Sequence, residues 1–469
     1  MSRAHPYRFR LPNGLRVVTQ QLSGTASVGV AVHYGVGFRS EPPGRSGFAH
    51  LFEHVMFQGS ARVGPADHFR YIQAAGGTAN GSTHQDYTDY YQILPASALE
   101  RALYLEADRM RSLRITEQTF RTQRAVVEEE IRQAVTDRPY GGFPWTVLPG
   151  VLYRTHANAH NGYGDFTDLA AATSDECQSF FDTYYTPSNA VLTICGDVEP
   201  GHARELAELH FGPVPARPGP LPVNLAEPEL RAERRGVHYD RHAPAAATAI
   251  GYRMPDPVAE LPAYLAQMVL ARLLTGGETA RLKHRLIQSA GLLTDISSSC
   301  GLFGPLQARA PETLVLLAMH ADGATTDRVT EALDAELAGL AGNGPGADEL
   351  LRATALTAAG VWRGFDDLTV RTRALGTYEL LFGNPGLVDE LGRRLTAVTA
   401  AEVTDAAAAL RPEQRAVLSL IPGAPATAAP AGPVPGTTAA EAPEPVPNDT
   451  AGASRDRSAE HTPSKGATL

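Results

Sequence analysis

The stretch Ser46-Gly-Phe-Ala-His50-Leu-Phe-Glu53-His54-Val-Met-Phe-Gln-Gly59 reads as one amphipathic helix. Ser46 is a candidate N-cap and Gly59 a C-terminal stop. Set Phe48 at 0° and advance about 100° per residue; Leu51, Phe52 and Val55 then fall within about 60° of it. Glu53, His50 and His54 fall at about 140°, 200° and 240° on the opposite side. One face docks in a core, and the other presents two imidazoles and a carboxylate together.

That face suits catalytic zinc. Histidines at i and i+4 lie one turn apart, so their ring nitrogens can converge on one ion. A catalytic site takes three protein ligands and leaves a fourth position for water, whose pKa falls to about 7. Zinc-bound water is then the nucleophile. Glu53, beside the ion but not bound to it, fits the general base that takes the water's proton and hands it to the leaving amine. With 15 histidines and 51 acidic residues in 469, chance supplies only about 0.05 such HxxEH matches. The later half has no second HxxEH, so one Zn2+ per chain is expected. His156 and His160 form an HxxxH pair, but their THANAHNG surroundings show no helical period and are not expected to hold metal. Gly276-Gly277 lacks the spacing of a phosphate loop.

Outward from the motif, strand-like and helix-like runs interleave. Tyr7–Leu11, Leu15–Gln20 and Ala26–Tyr34 read as strands, with Asn13-Gly14 as a hairpin signal. Helical periods follow at His68–Ala75, Ala96–Met110 and Thr116–Val135, then a strand at Ala190–Gly196. The pattern begins again after a Pro-rich stretch. Strands fall at Gly236–Tyr239, Ala245–Tyr252, Leu314–Met319 and Ala416–Ile421. Helices fall at Leu261–Leu274, Arg281–Ser289, Asp327–Ala341, Ala347–Val361 and Leu368–Leu381. The expected fold is α+β: two similar domains, each a mostly antiparallel sheet packed with helices. We place a zinc-binding catalytic domain at 1–211, a linker at 212–229, a second related domain without the metal motif at 230–422, and a disordered Ala/Pro-rich tail at 423–469.

Composition narrows the function classes. Lys+Arg 41 against Asp+Glu 51 gives a net charge of -10, with no basic cluster to bind nucleic acid. Mean hydropathy is -0.18, and no apolar run is long enough to cross a membrane. Cys177, Cys195 and Cys300 are too sparse for a disulfide framework. The first residues lack the apolar core of a secretory leader. A cytoplasmic location is therefore expected.

The wider string Gly35-Val-Gly-Phe-Arg-Ser-Glu41, followed by Gly47 to Gly59, resembles the zinc-site region of the pitrilysin/insulinase peptidase family, the inverzincins. The resemblance continues at Gly76-Gly77-Thr-Ala-Asn80-Gly81-Ser-Thr83, Asp86-Tyr-Thr88-Asp-Tyr90-Tyr91, Tyr184-Tyr185-Thr-Pro187-Ser-Asn189-Ala190, Gly196-Asp197-Val198, and from Leu274 to Leu292. It implies a third zinc ligand on a later helix. Periodicity in Val127-Glu128-Glu129-Glu130-Ile131 puts Glu129 in solvent and leaves Glu128 and Glu130 equivalent; the family pattern selects Glu130. Gln123 departs from the family, which commonly has there a glutamate that orients the ligand, so zinc affinity is open to weakening. By the same resemblance Asn80 and Gly81 lie on a sheet edge where substrate adds as a strand. The family closes around a chamber, which implies peptides or unfolded segments as substrates. Short members pair as homodimers or with a zinc-less sister subunit. Long forms use a late Arg/Tyr pair on the substrate carbonyl; the matching stretch Phe303–Pro311 has Arg309 but no nearby Tyr, so a sister chain would supply the pair. The resemblance also includes non-catalytic structural or peptide-binding subunits, which typically have a broken metal motif.

Overall fold

The segment Ala190–Gly196 (AVLTICG) is apolar or small at almost every position and has no face to give to water. It forms the wholly buried central strand of the first of two sheets. The computed structural model describes residues 5–423; the expected disordered tail, from residue 424 on, lies outside the described residues. The first sheet contains β1 (Tyr7–Arg10), β2 (Arg16–Gln21), β3 (Ser27–Tyr34), β4 (Thr78–Thr83), β5 (Thr88–Pro95) and β6 (Ala190–Gly196). The second contains β7 (Arg234–Asp240), β8 (Ala247–Arg253), β9 (Leu293–Cys300), β10 (Thr313–His320) and β11 (Arg415–Pro422).

The spatial orders are β1-β2-β6-β3-β5-β4 and β7-β11-β8-β10-β9. Without β1 they are the same order. Each sheet has one parallel pair, β2 with β6 and β7 with β11. All other pairings are antiparallel. The fold is therefore the α+β pair of similar sheet-and-helix units expected from the sequence. β4 and β9 are corresponding edges.

The Pro-rich connection has neither helix nor strand between Phe211 and Arg234, yet it is fastened. Glu227 accepts from Arg154 N and Thr155 N, both at 2.9 Å. Packing also crosses this connection in both directions. The helix Leu368–Phe382, late in sequence, lies on β3, β5 and β6 of the first sheet. Glycines permit that approach: a Cβ on Gly376 would lie 2.3 Å from His33 Nδ1, and one on Gly29 would lie 2.2 Å from Thr372 Oγ1. In return Phe143, Leu148 and Leu152 pack with Ala249, Val315 and Leu418 of the second sheet. Each half lends a helix to the other's sheet, so the apolar burial that stabilises one half depends on the other.

Several local readings change. The Asn13-Gly14 signal closes a five-residue connection from Leu11 to Leu15, because the β1–β2 register ends at Arg10 opposite Arg16. Arg281–Ser289 widens into π-type turns over Lys283–Ser289. His156–Ala159, which shows no helical period in sequence, is a single helical turn. β9 and the helices Ser174–Tyr184 and Pro200–Phe211 were not read from sequence; β9 mixes buried and exposed positions without strict alternation.

Candidate metal centre

The motif helix is Phe48–Val55, with Phe48, Leu51, Phe52 and Val55 buried in the first core. Ser46 is not its cap. The N-cap is Gly47, at φ +93 in the left-handed region where a Cβ is strained. The orphan amides of the first turn go instead to Glu41, whose Oε2 accepts from Gly47 N at 3.0 Å and whose Oε1 accepts from Ala49 N at 2.7 Å. The Ser46 amide is taken by Asp168 Oδ2 at 2.9 Å.

A second helix, Glu117–Ile131, starts on a reciprocal Thr116/Thr119 capping box and buries Phe120, Val127 and Ile131. It packs on the motif helix and delivers Glu130 to the two histidines. Glu130 Oε1 lies 3.5 Å from His50 Nε2, and its Oε2 lies 3.4 Å from His54 Nε2. Glu128 faces Arg124 at 3.7 Å and Arg132 at 3.9 Å. Glu129 is exposed and pairs with Arg132. Packing thus separates the two glutamates that periodicity left equivalent. Among the described residues His50, His54 and Glu130 are the one group of three or more His, Cys, Asp or Glu side chains whose donor atoms all lie within 4.8 Å of one another.

These donors fit zinc. Ligands at about 2.0–2.1 Å in a tetrahedron stand roughly 3.4 Å apart, which matches the two nitrogen–oxygen separations. The far side of the first imidazole is also engaged. His50 Nδ1 lies 3.2 Å from the Tyr163 carbonyl, which can only accept, so Nδ1 carries the proton and Nε2 is free to ligate. Without a cation His50 holds a proton more tightly than a free imidazole does. Burial alone would lower His50, but the hydrogen bond with Glu130 and the charges of Glu53 and Glu130 raise it to about 8. Hydrogen bonds from His50 and then His54 hold Glu130 well below the usual carboxylate range.

Glu53 stands next to this cluster and is not part of it. Burial pushes its carboxyl up, against the pull of His50, Thr83 and His54. Its Oε2 accepts from Thr83 Oγ1 at 2.6 Å. Thr83 ends β4, the outer strand of the sheet. Gly81 of the same strand lies so close that an added Cβ would come within 3.2 Å of Glu53 Cγ. Asn80 is exposed, and its Oδ1 accepts from Gly81 N at 2.8 Å. The edge strand and the carboxylate are therefore built together.

The family described as Insulinase (Peptidase family M16) matches residues 16–140, and the one described as Peptidase M16 inactive domain matches residues 171–356. The chain is 30% identical over 406 residues to the uncharacterized zinc protease Mb2805c of Mycobacterium bovis, spanning 85% of this chain and 89% of that protein. The chain belongs to the insulinase peptidase family. It is also similar to the zinc protease PqqE of Helicobacter pylori, at 30% identity over 292 residues, 61% of this chain and 65% of that one. To the mitochondrial-processing peptidase subunit beta of Bos taurus it is 26% identical over 256 residues, 53% and 51% of the two chains. A solved protease from Helicobacter pylori shares the fold with a TM-score of 0.81 at 23% identity, over 89% of this chain and 99% of that chain.

In this insulinase-family chain Arg309 is already engaged. Its guanidinium bonds Asp86 Oδ1 at 2.9 and 3.1 Å, and Arg39 holds the other oxygen of Asp86 at 3.0 Å. It braces the β4–β5 turn against the second half. Glu41, Thr83 and the Tyr163 carbonyl were not assigned roles from sequence. Glu41 and Thr83 lay inside the strings that carry the family resemblance, which was their only signal; a backbone carbonyl leaves none. No helix among the described residues is long and apolar enough to cross a membrane.

Proposed function

We propose that the chain is a zinc endopeptidase with one Zn2+ held by His50, His54 and Glu130. The observation that carries this reading is the meeting of three donors from two separate helices beside a carboxylate that is hydrogen-bonded to an edge strand. Zinc bound there supplies a Lewis acid that polarises a carbonyl and lowers the pKa of water to about 7. Glu53 takes the proton of the attacking water and delivers it to the leaving amine. Thr83 holds the Glu53 carboxylate in place by one hydrogen bond. Asn80 and Gly81 offer the free edge of β4 to the backbone of an extended peptide, which selects peptides or unfolded segments over folded proteins.

The two halves, 1–211 and 230–422, act as a catalytic domain and a partner domain joined by 212–229. Because Arg309 is occupied by Asp86, a second copy or a zinc-less sister subunit would supply any further donor to the substrate carbonyl. The three cysteines are sparse and far apart in sequence, which supports a reducing compartment such as the cytoplasm; all three are free and buried. The test is cleavage of a peptide library by the purified chain and by Glu53→Gln. Loss of turnover by at least about 100-fold, with stoichiometric zinc retained, is the expected result. Turnover at the wild-type rate in the variant removes the general-base role. Absence of turnover in the wild type, alone and with its sister subunit, leaves a non-catalytic peptide-binding subunit.

A further inference from the structure

We propose that His160 is a positioning residue for the metal-binding helix, acting through Glu41. The inference rests on the zinc reading above. His160 follows the one-turn helix His156–Ala159. Its ring stacks on His156 with centroids 4.5 Å apart and planes 3° from parallel. Its Nδ1 lies 2.7 Å from the His156 carbonyl. A carbonyl only accepts, so Nδ1 carries a proton. Its Nε2 lies 3.0 Å from Glu41 Oε2.

Glu41 is 3% exposed. Besides His160 it faces the amides of Gly47 and Ala49, both donors. Burial pushes the Glu41 carboxyl up, with the His160 contact opposing. Burial also works against charge on His160, yet the hydrogen bond with Glu41 raises it. The trends conflict over Glu41; its two oxygens each accept from a backbone amide, which favours the carboxylate, and His160 is then its imidazolium partner.

This ion pair anchors a helix that cannot cap itself. Gly47 has no side chain and sits against the next part of the same segment, where its Cβ would come 2.6 Å from Gly164 Cα. Between those contacts Tyr163 gives its carbonyl to His50 Nδ1. Residues 160–164 therefore hold the motif helix twice, through Glu41 at its first amides and through Tyr163 at its first histidine. Ala49, whose amide Glu41 accepts, directly precedes His50. Removing the cation from Glu41 should loosen the first turn and misplace the His50 ring.

The experiment measures zinc affinity of the full chain by chelator competition and the melting temperature of the metal-free chain, for His160→Ala, His160→Gln and His156→Ala. Outer partners of metal ligands are worth roughly 10–100-fold in affinity. His160→Ala should weaken zinc by that factor. His160→Gln, which can still donate to Glu41, should recover most of it. His156→Ala, which keeps the Glu41 contact, should stay within about threefold of wild type. Wild-type affinity in His160→Ala, or equal losses in His156→Ala and His160→Ala, overturns the proposal. If His160→Ala does not fold, His160→Asn, too short to reach Glu41, is compared alone and on a Glu41→Gln background: a second loss as large as the first shows that His160 does not act through Glu41 and overturns it. A wild-type chain that takes no zinc, or His54→Ala that keeps it stoichiometrically, breaks the zinc reading itself and is told apart from these outcomes.

Discussion

The motif helix Phe48–Val55 and the helix Leu261–Thr275 occupy corresponding places, one between β3 and β4, the other between β8 and β9. Both are mostly buried, the first at six of its eight positions, but their surroundings differ in chemistry. The first buries one face and leaves Glu53 and His54 half-buried on the other. The second, LPAYLAQMVLARLLT, is buried at eleven of its fifteen positions, because the helices Ala347–Asp366 and Ala400–Ala409 cover it. The same strand order thus makes a site in one half and a closed core in the other. What decides is how a neighbouring helix crosses. In the first half it crosses so that one carboxylate reaches two imidazoles; in the second, apolar side chains fill the space.

If that contrast is right, the largest effect lies in the first helix. His54→Ala removes one of three donors, and the chain should hold no stoichiometric zinc by elemental analysis and lose all peptide cleavage. Thr83→Val tests whether the edge strand sets the base. A hydrogen bond to a charged group is worth about 1.5–3 kcal/mol, so kcat should fall roughly tenfold or more, with zinc content and KM unchanged; Thr83→Ser should restore it. A roughly tenfold rise in KM with kcat unchanged would show that the strand serves binding alone.

A third prediction concerns pH. In the metal-free chain His50 is raised to about 8, so at pH 7 it is mainly protonated and zinc must expel a proton to enter. Glu130 is depressed and stays ionised throughout. Zinc affinity should therefore climb by about tenfold per unit up to pH 8 and level off above it. A flat profile between pH 6 and 8 would contradict the His50–Glu130 coupling. The smallest effect belongs to the second helix. Gln267 is 2% exposed, and its Oε1 has no hydrogen-bond partner among the described residues. Gln267→Met keeps the length and removes that buried acceptor, so stability should rise by about 1 kcal/mol with zinc affinity untouched. A change in zinc affinity would mean that the two helices are not independent.

Much of this molecule was legible from local pattern. Ala190–Gly196 was bounded correctly because an almost wholly apolar run between Asn189 and Asp197 has one way to be satisfied. Leu261–Thr275 and Leu368–Phe382 were found within a residue because helical periods of fifteen residues average out local exceptions. Failures came where local signals were weak or where the partner was distant. His156–Ala159 is one turn, too short for a period to show. Ser46 looked like a cap because serine usually is one, but a left-handed Gly47 and a carboxylate six residues before it took that role.

The sequence alone determined that His50, Glu53 and His54 share one helical face opposite an apolar one, since both facts depend only on 100° steps along a single helix. It also determined the two strand-and-helix series and their shared outline. Periodicity left Glu128 and Glu130 equivalent and the family pattern selected Glu130, 76 positions after His54; tertiary structure decided how its two oxygens meet the two imidazoles, that Arg309 is occupied by Asp86, and that Leu368–Phe382 belongs to the first sheet. Periodicity assigns a side chain to a face. Which atoms that face meets depends on the angle and height at which separate elements pack, and these are set by side-chain volumes such as the missing Cβ atoms of Gly29 and Gly376.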